Sequence, residues 1–436
     1  MNQNIDGLLK CHRDFRQLQR GEAAAMFGTS ITAVTIPLIA VATLHASAFE
    51  VGLLHASARM PWIALALPSG AWMERTRCRP IMLAAATISS VLLSTVPIAA
   101  WAHSLSLGLL CAVALLTGTA AMFFQTSYST YLRSVHAPHR QHEDEAKLHG
   151  RASAAQIAGQ VSAGLIAQAA GAVSAMSASA GTFLVSFLCL TNIRHHEMRV
   201  RRTPLRPKRL CNGLGGGMRL IVSDPWLRAL SLFGVAANLA TMGYQSIQVG
   251  FLVNCADMNP GAVGGLIAVA SSGGTVGAYI APRIASRIGT ARAMLTFGLG
   301  LELFALLIPA AFEGFGFVFF AVGGFCTSAG MVAGNAIKGS FLQRYCPPEN
   351  LGSVTKITVF LNHAAITVGA VLGGGLGTLF DLRTAMWITT AGIPLAALPL
   401  LFSPVRSFRD LPISRQPFHE PGRTHPNMES APLTAY

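Results

Sequence analysis

Twelve apolar runs divide this chain of 436 residues, at 21–44, 49–73, 80–101, 105–131, 152–172, 174–193, 226–254, 261–282, 293–312, 315–342, 353–379 and 384–402. Each is close to the roughly 20 residues that an α-helix needs to cross about 30 Å of hydrocarbon. An open strand in lipid leaves its N–H and C=O groups without partners, so every run reads as a helix. Composition agrees, with 11% of residues charged and 52% hydrophobic, where a soluble domain carries about 25% charged residues. The first run is too long for the core of a signal peptide and no small-residue cleavage site follows it, which predicts a retained span.

Charge is confined to short islands and is strongly biased to one side. If the spans alternate, 28 of the 32 lysines and arginines share one face, in the segments 1–20, 74–79, 132–151, 194–225, 283–292, 343–356 and 403–436. Basic loops stay inside, so both termini are expected in the cytoplasm. The net charge of +14 is then a topology signal, and no nucleic-acid partner is expected. Segment 194–225 combines eight basic residues with Pro204, Pro207 and Gly215-Gly216-Gly217, the punctuation of a linker. The expected organisation is a cytoplasmic N-terminal segment (1–20), a first six-helix bundle (21–193), a basic linker (194–225), a second bundle (226–402) and a Pro-, His- and Arg-rich tail (403–436) read as disordered.

The second half echoes the first about 210 residues on. Phe15-Arg16-Gln17-Leu18 returns loosely as Trp226-Leu227-Arg228-Ala229-Leu230, Gly70-Ala71-Trp72 as Gly277-Ala278-Tyr279, and the stretch from Tyr131 to Pro138 as that from Phe341 to Pro348. Each match falls at the same end of the equivalent span. The expected fold is an all-α polytopic membrane protein with twelve transmembrane helices in two pseudo-symmetric six-helix bundles. Parallel repeats of this kind place a substrate cavity between the halves at mid-depth.

The loop Gly70-Ala71-Trp72-Met73-Glu74-Arg75-Thr76-Arg77-Cys78-Arg79 resembles the signature of the major facilitator superfamily, Gly-x-x-x-Asp-Arg/Lys-x-Gly-Arg/Lys-Arg/Lys. Glu74 stands for the aspartate, Arg77 for the second glycine and Cys78 for one basic residue. The resemblance implies a cytoplasmic conformational latch of Gly70, Glu74, Arg75 and Arg79. The second copy has Ala281 at the acidic position and keeps Arg283 and Arg287. Within the superfamily the chain is similar to the drug:proton antiporter-like group that includes macrolide-efflux and enterobactin exporters. The stretches that carry this are Phe15 to Leu38, Val51-Gly52-Leu53-Leu54 with Arg59-Met60-Pro61, and the Pro-containing ends of spans four and ten. Two features depart from that group: Gly28-Thr29 stands where Gly-Asp is common, and span five keeps Gly159 and Gly164 without proline. The resemblance implies a secondary transporter of the bacterial cytoplasmic (inner) membrane. It would export an amphipathic drug, siderophore or other natural product by alternating access, in exchange for protons. A monomer is expected. Proton-coupled uptake and a non-transporting membrane sensor are the competing readings.

An ionisable side chain inside a span is costly and therefore a functional candidate. Glu22, Arg59, Glu302 and His363 are candidates for proton coupling, weighed against headgroup contact, helix tying and simple interhelical hydrogen bonds. Lys338 either meets an anionic substrate group or snorkels to the surface. Uncharged polar residues orient a neutral or amphipathic ligand at little cost, which nominates Gln125, Tyr128, Asn238, Tyr244, Gln245, Gln248 and Asn335.

The absences narrow the function further. The eight cysteines form no CxxC pair, so neither a zinc site nor a disulfide framework follows. His195-His196 and the group His136, His139, His142 and His149 read as a solvated basic face, and no metal is expected. Gly213 to Gly217 is not followed by Gly-Lys-Ser/Thr, which excludes a P-loop. No motif of an enzyme stands out and no cofactor is implied.

Overall fold

The computed structural model describes residues 2–73, 76–135, 141–192, 207–312 and 314–412, with side chains over 16–64, 76–132, 151–192, 215–312, 315–347 and 349–412. The first bundle holds α1 (Asn2–Ala42), α2 (Ala48–Met73), α3 (Cys78–Trp101), α4 (Leu107–Val135), α5 (Gln141–Ala170) and α6 (Ala172–Thr191). After α7 (Pro207–Ser223) the second bundle holds α8 (Pro225–Asn254), α9 (Pro260–Ile288), α10 (Thr290–Leu295), α11 (Phe317–Tyr345), α12 (Pro348–Leu379), α13 (Leu382–Leu395) and α14 (Leu398–Leu401). α10 continues as a π-helical stretch, Thr296–Leu301, and a 3-10 stretch, Glu302–Ala310. Among the described residues nine helical stretches are long and apolar enough to cross a membrane, and Gly215–Ser223 with Pro225–Asn254, bent by 101°, makes a tenth. α2 and α5, whose side chains are described over part of their length, complete the twelve.

Helix ends are set by local chemistry. Asp224 caps α8, its Oδ1 accepting from the N–H groups of Trp226 and Leu227 at 3.0 and 3.2 Å, ahead of Pro225 at the first helical position. Its Oδ2 accepts from the Tyr345 hydroxyl at 2.8 Å, tying the start of α8 to the end of α11. Asn259 and Asp381 cap α9 and α13 in the same way, accepting from Ala262 N–H at 2.9 Å and Thr384 N–H at 3.0 Å. Such caps satisfy donors that the helix itself leaves orphaned. Trp101 and Phe315 at one end and Phe402 at the other are 85%, 85% and 87% exposed, as aromatic side chains are at membrane–water boundaries.

Within the first bundle α1 packs on α5 and α6, α2 on α4, and α3 on α4 and α6. Within the second α8 packs on α12 and α13, and α9 on α11. The bundles meet along two seams, α2 with α12 and α5 with α9. Both seams close at the end remote from the chain termini, here called the distal end, by backbone contact at glycine. A Cβ on Gly52 would sit 2.5 Å from the Ala370 carbonyl oxygen and 2.9 Å from Gly374 Cα. A Cβ on Gly164 would sit 2.7 Å from the Pro260 carbonyl oxygen and 2.9 Å from Gly264 Cα. The Phe49 N–H also donates across the first seam to Thr378 Oγ1 at 3.0 Å.

Two segments differ from the sequence expectation. Within the expected linker, Pro207–Ser223 folds as a helix, and Leu220 and Ile221 are buried in the core of the second bundle. Gly217 packs closely there, where a Cβ would lie 3.0 Å from Ser353 Cβ and 3.1 Å from the Ser353 backbone of α12. Residues 403–412 of the expected tail are folded against the same bundle, with Val405 and Leu411 buried. Asp410 Oδ1 accepts from Thr290 N–H at 2.9 Å, and the Leu411 N–H donates to Thr290 Oγ1 at 2.8 Å. This strap caps the turn between α9 and α10.

Two outcomes are expected from this packing. In a chain whose eight cysteines are replaced by alanine, the pair Ala48→Cys and Gly377→Cys cross-links under mild oxidation. A Cβ on Gly377 lies 2.7 Å from Ala48 Cβ, which relaxes readily to the ~3.5–4.5 Å of a disulfide. An unlinked pair would contradict distal closure. Asp224→Ala removes the α8 cap, worth about 0.5–2 kcal/mol, together with the tie to Tyr345. It lowers the thermal unfolding temperature more than Tyr345→Phe, and equal effects would show that the cap contributes little.

Candidate substrate cavity

Below the closed distal ends the two bundles diverge around a cavity of about 320 Å³ at mid-depth. On α2, His55, Arg59 and Trp62 line it, spaced four and three residues apart and so presented on one helical face. On α8, Tyr244, Gln245 and Gln248 line the opposite side. Gln156 and Gln160 reach it from α5 and Thr29 and Thr32 from α1. The two threonines cost little in this setting, because their hydroxyls bond back to the carbonyls of Ala25 and Gly28 at 2.8 and 3.0 Å.

The charge on this lining is one-sided. No aspartate or glutamate lies among the described lining residues, and Arg59 is the lining residue with a permanent charge. Arg59 is solvent-accessible within the cavity and has no carboxylate beside it among the described residues. His363 of α12 stacks on Trp62 with ring centroids 4.7 Å apart and planes 16° off parallel. Both His55 and His363 lie within electrostatic reach of Arg59. His55 Nε2, His363 Nδ1 and Gln160 Oε1 are buried without hydrogen-bond partners.

The sequence candidates separate into groups. Arg59, Tyr244, Gln245 and Gln248 face the cavity, and His363 stands behind Trp62. Glu22 lies elsewhere, in the first bundle: it is 7% exposed, with the Tyr128 hydroxyl as its polar neighbour and no approach to Arg59. Glu302 is 3% exposed where the π stretch gives way to the 3-10 stretch, and a Cβ on Gly330 of α11 would lie 3.2 Å from its Oε1. Its Oε2 has no hydrogen-bond partner, and its charge reaches Tyr244 in the cavity wall. Lys338 Nζ is buried, without a hydrogen-bond partner, against Gly234 of α8. Asn238 donates to the Gly234 carbonyl at 2.7 Å and is used within its own helix. Gln125, Tyr128 and Asn335 do not line the cavity.

Of the latch residues, Glu74 and Arg75 lie outside the described residues, as do the surroundings of Gly70. Arg79 donates to the Leu190 and Thr191 carbonyls at 3.3 and 2.8 Å, holding the start of α3 to the end of α6. Among the described residues no three His, Cys, Asp or Glu side chains converge on a metal position. His136, His139, His142, His149, His195 and His196 fall outside the described side chains. Sequence reasoning missed His55, Trp62, Gln156 and Gln160. The four-residue spacings His55/Arg59 and Gln156/Gln160 were the available signal, since each puts two polar groups on one face of an apolar helix.

The family model of the Major Facilitator Superfamily matches residues 21–289. The chain belongs to this superfamily. It is therefore a multi-pass membrane transporter. It is 24% identical over 400 residues to the multidrug efflux pump Tap of Mycobacterium tuberculosis (strain ATCC 25618 / H37Rv), covering 86% of this chain and 91% of that protein. It is 24% identical over 402 residues to Tap of Mycolicibacterium fortuitum, covering 89% and 95%. It is 26% identical over 329 residues to the uncharacterized MFS-type transporter y4rN of Sinorhizobium fredii (strain NBRC 101917 / NGR234), covering 72% and 78%. Among solved structures it shares its fold with the nucleoside transporter NupG, at a TM-score of 0.71 and 13% identity over 90% of this chain and 98% of that one. A bacterial homologue of the iron transporter ferroportin in its inward-facing state gives a TM-score of 0.69 and 13% identity, covering 89% and 98%.

Filling the cavity is expected to stop transport without unfolding the protein. Ala121→Trp, on the α4 wall of the cavity, lowers flux at least tenfold, whereas Val91→Trp, on a side chain 60% exposed, leaves it unchanged. Flux that survives Ala121→Trp would place the substrate path elsewhere.

Proposed function

We propose that this superfamily member exports an amphipathic small molecule from the bacterial cytoplasm across the inner membrane by alternating access, in exchange for protons. The observation that carries the reading is the shape of the access route. The seams between the bundles are packed at the distal end, and the cavity lies below them, toward the end where the chain termini and most lysines and arginines are found. Basic segments mark the cytoplasmic side, so this state loads from the cytoplasm. A mid-depth cavity with an apolar wall, two amide pairs and an indole suits a ligand with both apolar and polar parts. The description of two relatives as multidrug efflux pumps supports the outward direction.

For coupling, Glu302 is the favoured carboxyl. It is buried, it lacks a neighbouring cation, and it lies within electrostatic range of Tyr244 of the cavity wall, at a break in helix geometry of a kind frequent at functional sites. Glu22 is the second candidate. Arg59 and His363, which lie together where α2 meets α12, are the remaining candidates.

Mass-spectrometric profiling of cells and medium, from parental and deletion strains grown with and without iron, tests the reading. Export predicts a metabolite that falls in the medium and rises in the cells on deletion. Wild-type protein restores it, and Glu302→Gln restores less than a tenth of the rate. An effect confined to iron-starved cultures would identify the cargo as a siderophore. A metabolite left in the medium and missing from the cells would establish uptake instead, and identical profiles would favour a sensor. Full rescue by Glu302→Gln would remove that carboxyl from coupling.

A further inference from the structure

We propose that the cavity contains an oxyanion subsite, centred on Arg59 of α2, that receives the carboxylate of an aromatic amphipath. The inference rests on the reading of this cavity as the substrate site and names the chemical class that the site takes. Arg59 is presented to the cavity, uncompensated by any carboxylate among the described residues. A lone guanidinium in a poorly screened site attracts an anion and repels an organic cation. Its planar fork of donors matches the two oxygens of a carboxylate.

Two histidines flank the guanidinium. Each keeps a ring nitrogen buried without a hydrogen-bond partner, Nε2 on His55 and Nδ1 on His363, and each is within electrostatic reach of Arg59. Neither nitrogen is open to the cavity, so the guanidinium is the group that meets the ligand. His363 is held in place by its stack on Trp62, and the same indole lines the cavity beside Arg59. It offers an aromatic surface next to the charged end. The rest of the wall is apolar or neutral, with Gln245 and Gln248 facing from α8, so a second charge on the ligand finds no partner there.

The test compares two probes of one shape and opposite charge, 2-naphthoxyacetate and (2-naphthoxyethyl)trimethylammonium, binding to the full-length protein in lipid nanodiscs by titration calorimetry. Wild-type protein is expected to bind the carboxylate at least tenfold more tightly than the ammonium. Arg59→Gln erases the preference with the thermal unfolding temperature unchanged, and Arg59→Lys keeps part of it. Equal or tighter binding of the ammonium to the wild type would overturn the subsite by itself, whether or not the variants fold. Undiminished carboxylate binding by folded Arg59→Gln would overturn it too. The readout is independent of export: an anion preference with no metabolite phenotype would sink the export reading and leave the subsite standing, and the reverse result would do the opposite.

Discussion

Where the two bundles meet, backbone touches backbone. In lipid each helix satisfies its own peptide groups, and no hydrophobic force distinguishes a neighbouring helix from a lipid tail. Cohesion between bundles has to come from close approach, which small residues permit. Gly52 against Ala370 and Gly374, and Gly164 against Pro260 and Gly264, supply it on two seams related by the internal repeat. Both contacts lie at the same end of the molecule. The space at mid-depth lies below that end, and the polar faces of α2, α5 and α8 meet in it.

The halves have the same scaffold and different polar inventories. Tyr128 of α4 and Lys338 of α11 stand 210 residues apart, the offset that also relates Tyr131 to Phe341. Tyr128 neighbours Glu22 of α1, while Lys338 packs at Gly234 of α8. The first bundle therefore carries an acid, and the second a base, between equivalent pairs of helices. Nearer the middle, the lone Arg59 faces the amides of α8 across the cavity, and Glu302 lies within electrostatic range of Tyr244. Charges that would cancel if adjacent are kept in separate compartments. A protein that must be stable in two states has reason to avoid locking either with a permanent ion pair.

The spans were legible because hydrocarbon imposes its thickness on the sequence, and the twelve runs match the twelve membrane helices to within a few residues at most ends. Short-range signals left the secondary structure of the connecting segment open. Pro207 and Gly215-Gly216-Gly217 read as a linker, and that segment is helical from Pro207, since proline is well suited to the first turn of a helix. The folded part of the tail was hidden because its order depends on Asp410 capping Thr290, 120 residues away. For the cavity, Arg59, Tyr244, Gln245 and Gln248 were visible as polar residues on apolar helices. Asn238 looked the same and is consumed by its own helix. No rule of spacing tells which face of a span meets a partner helix and which meets open space. Trp62 passed unnoticed for that reason, while His55 could have been found only through its four-residue spacing from Arg59.

Alternating access requires the bundles to rock about the mid-depth cavity, one end opening as the other closes. Pulsed electron resonance distances between spin labels on opposite bundles test it directly. One pair, at Thr191 and Gln343, reports the end near the termini. The other, at Ala102 and Phe315, reports the distal end. Between acidic and neutral pH in nanodiscs the two distances are predicted to change in opposite senses, one shortening as the other lengthens. Two distances that stay fixed, or that change in the same sense, would contradict it.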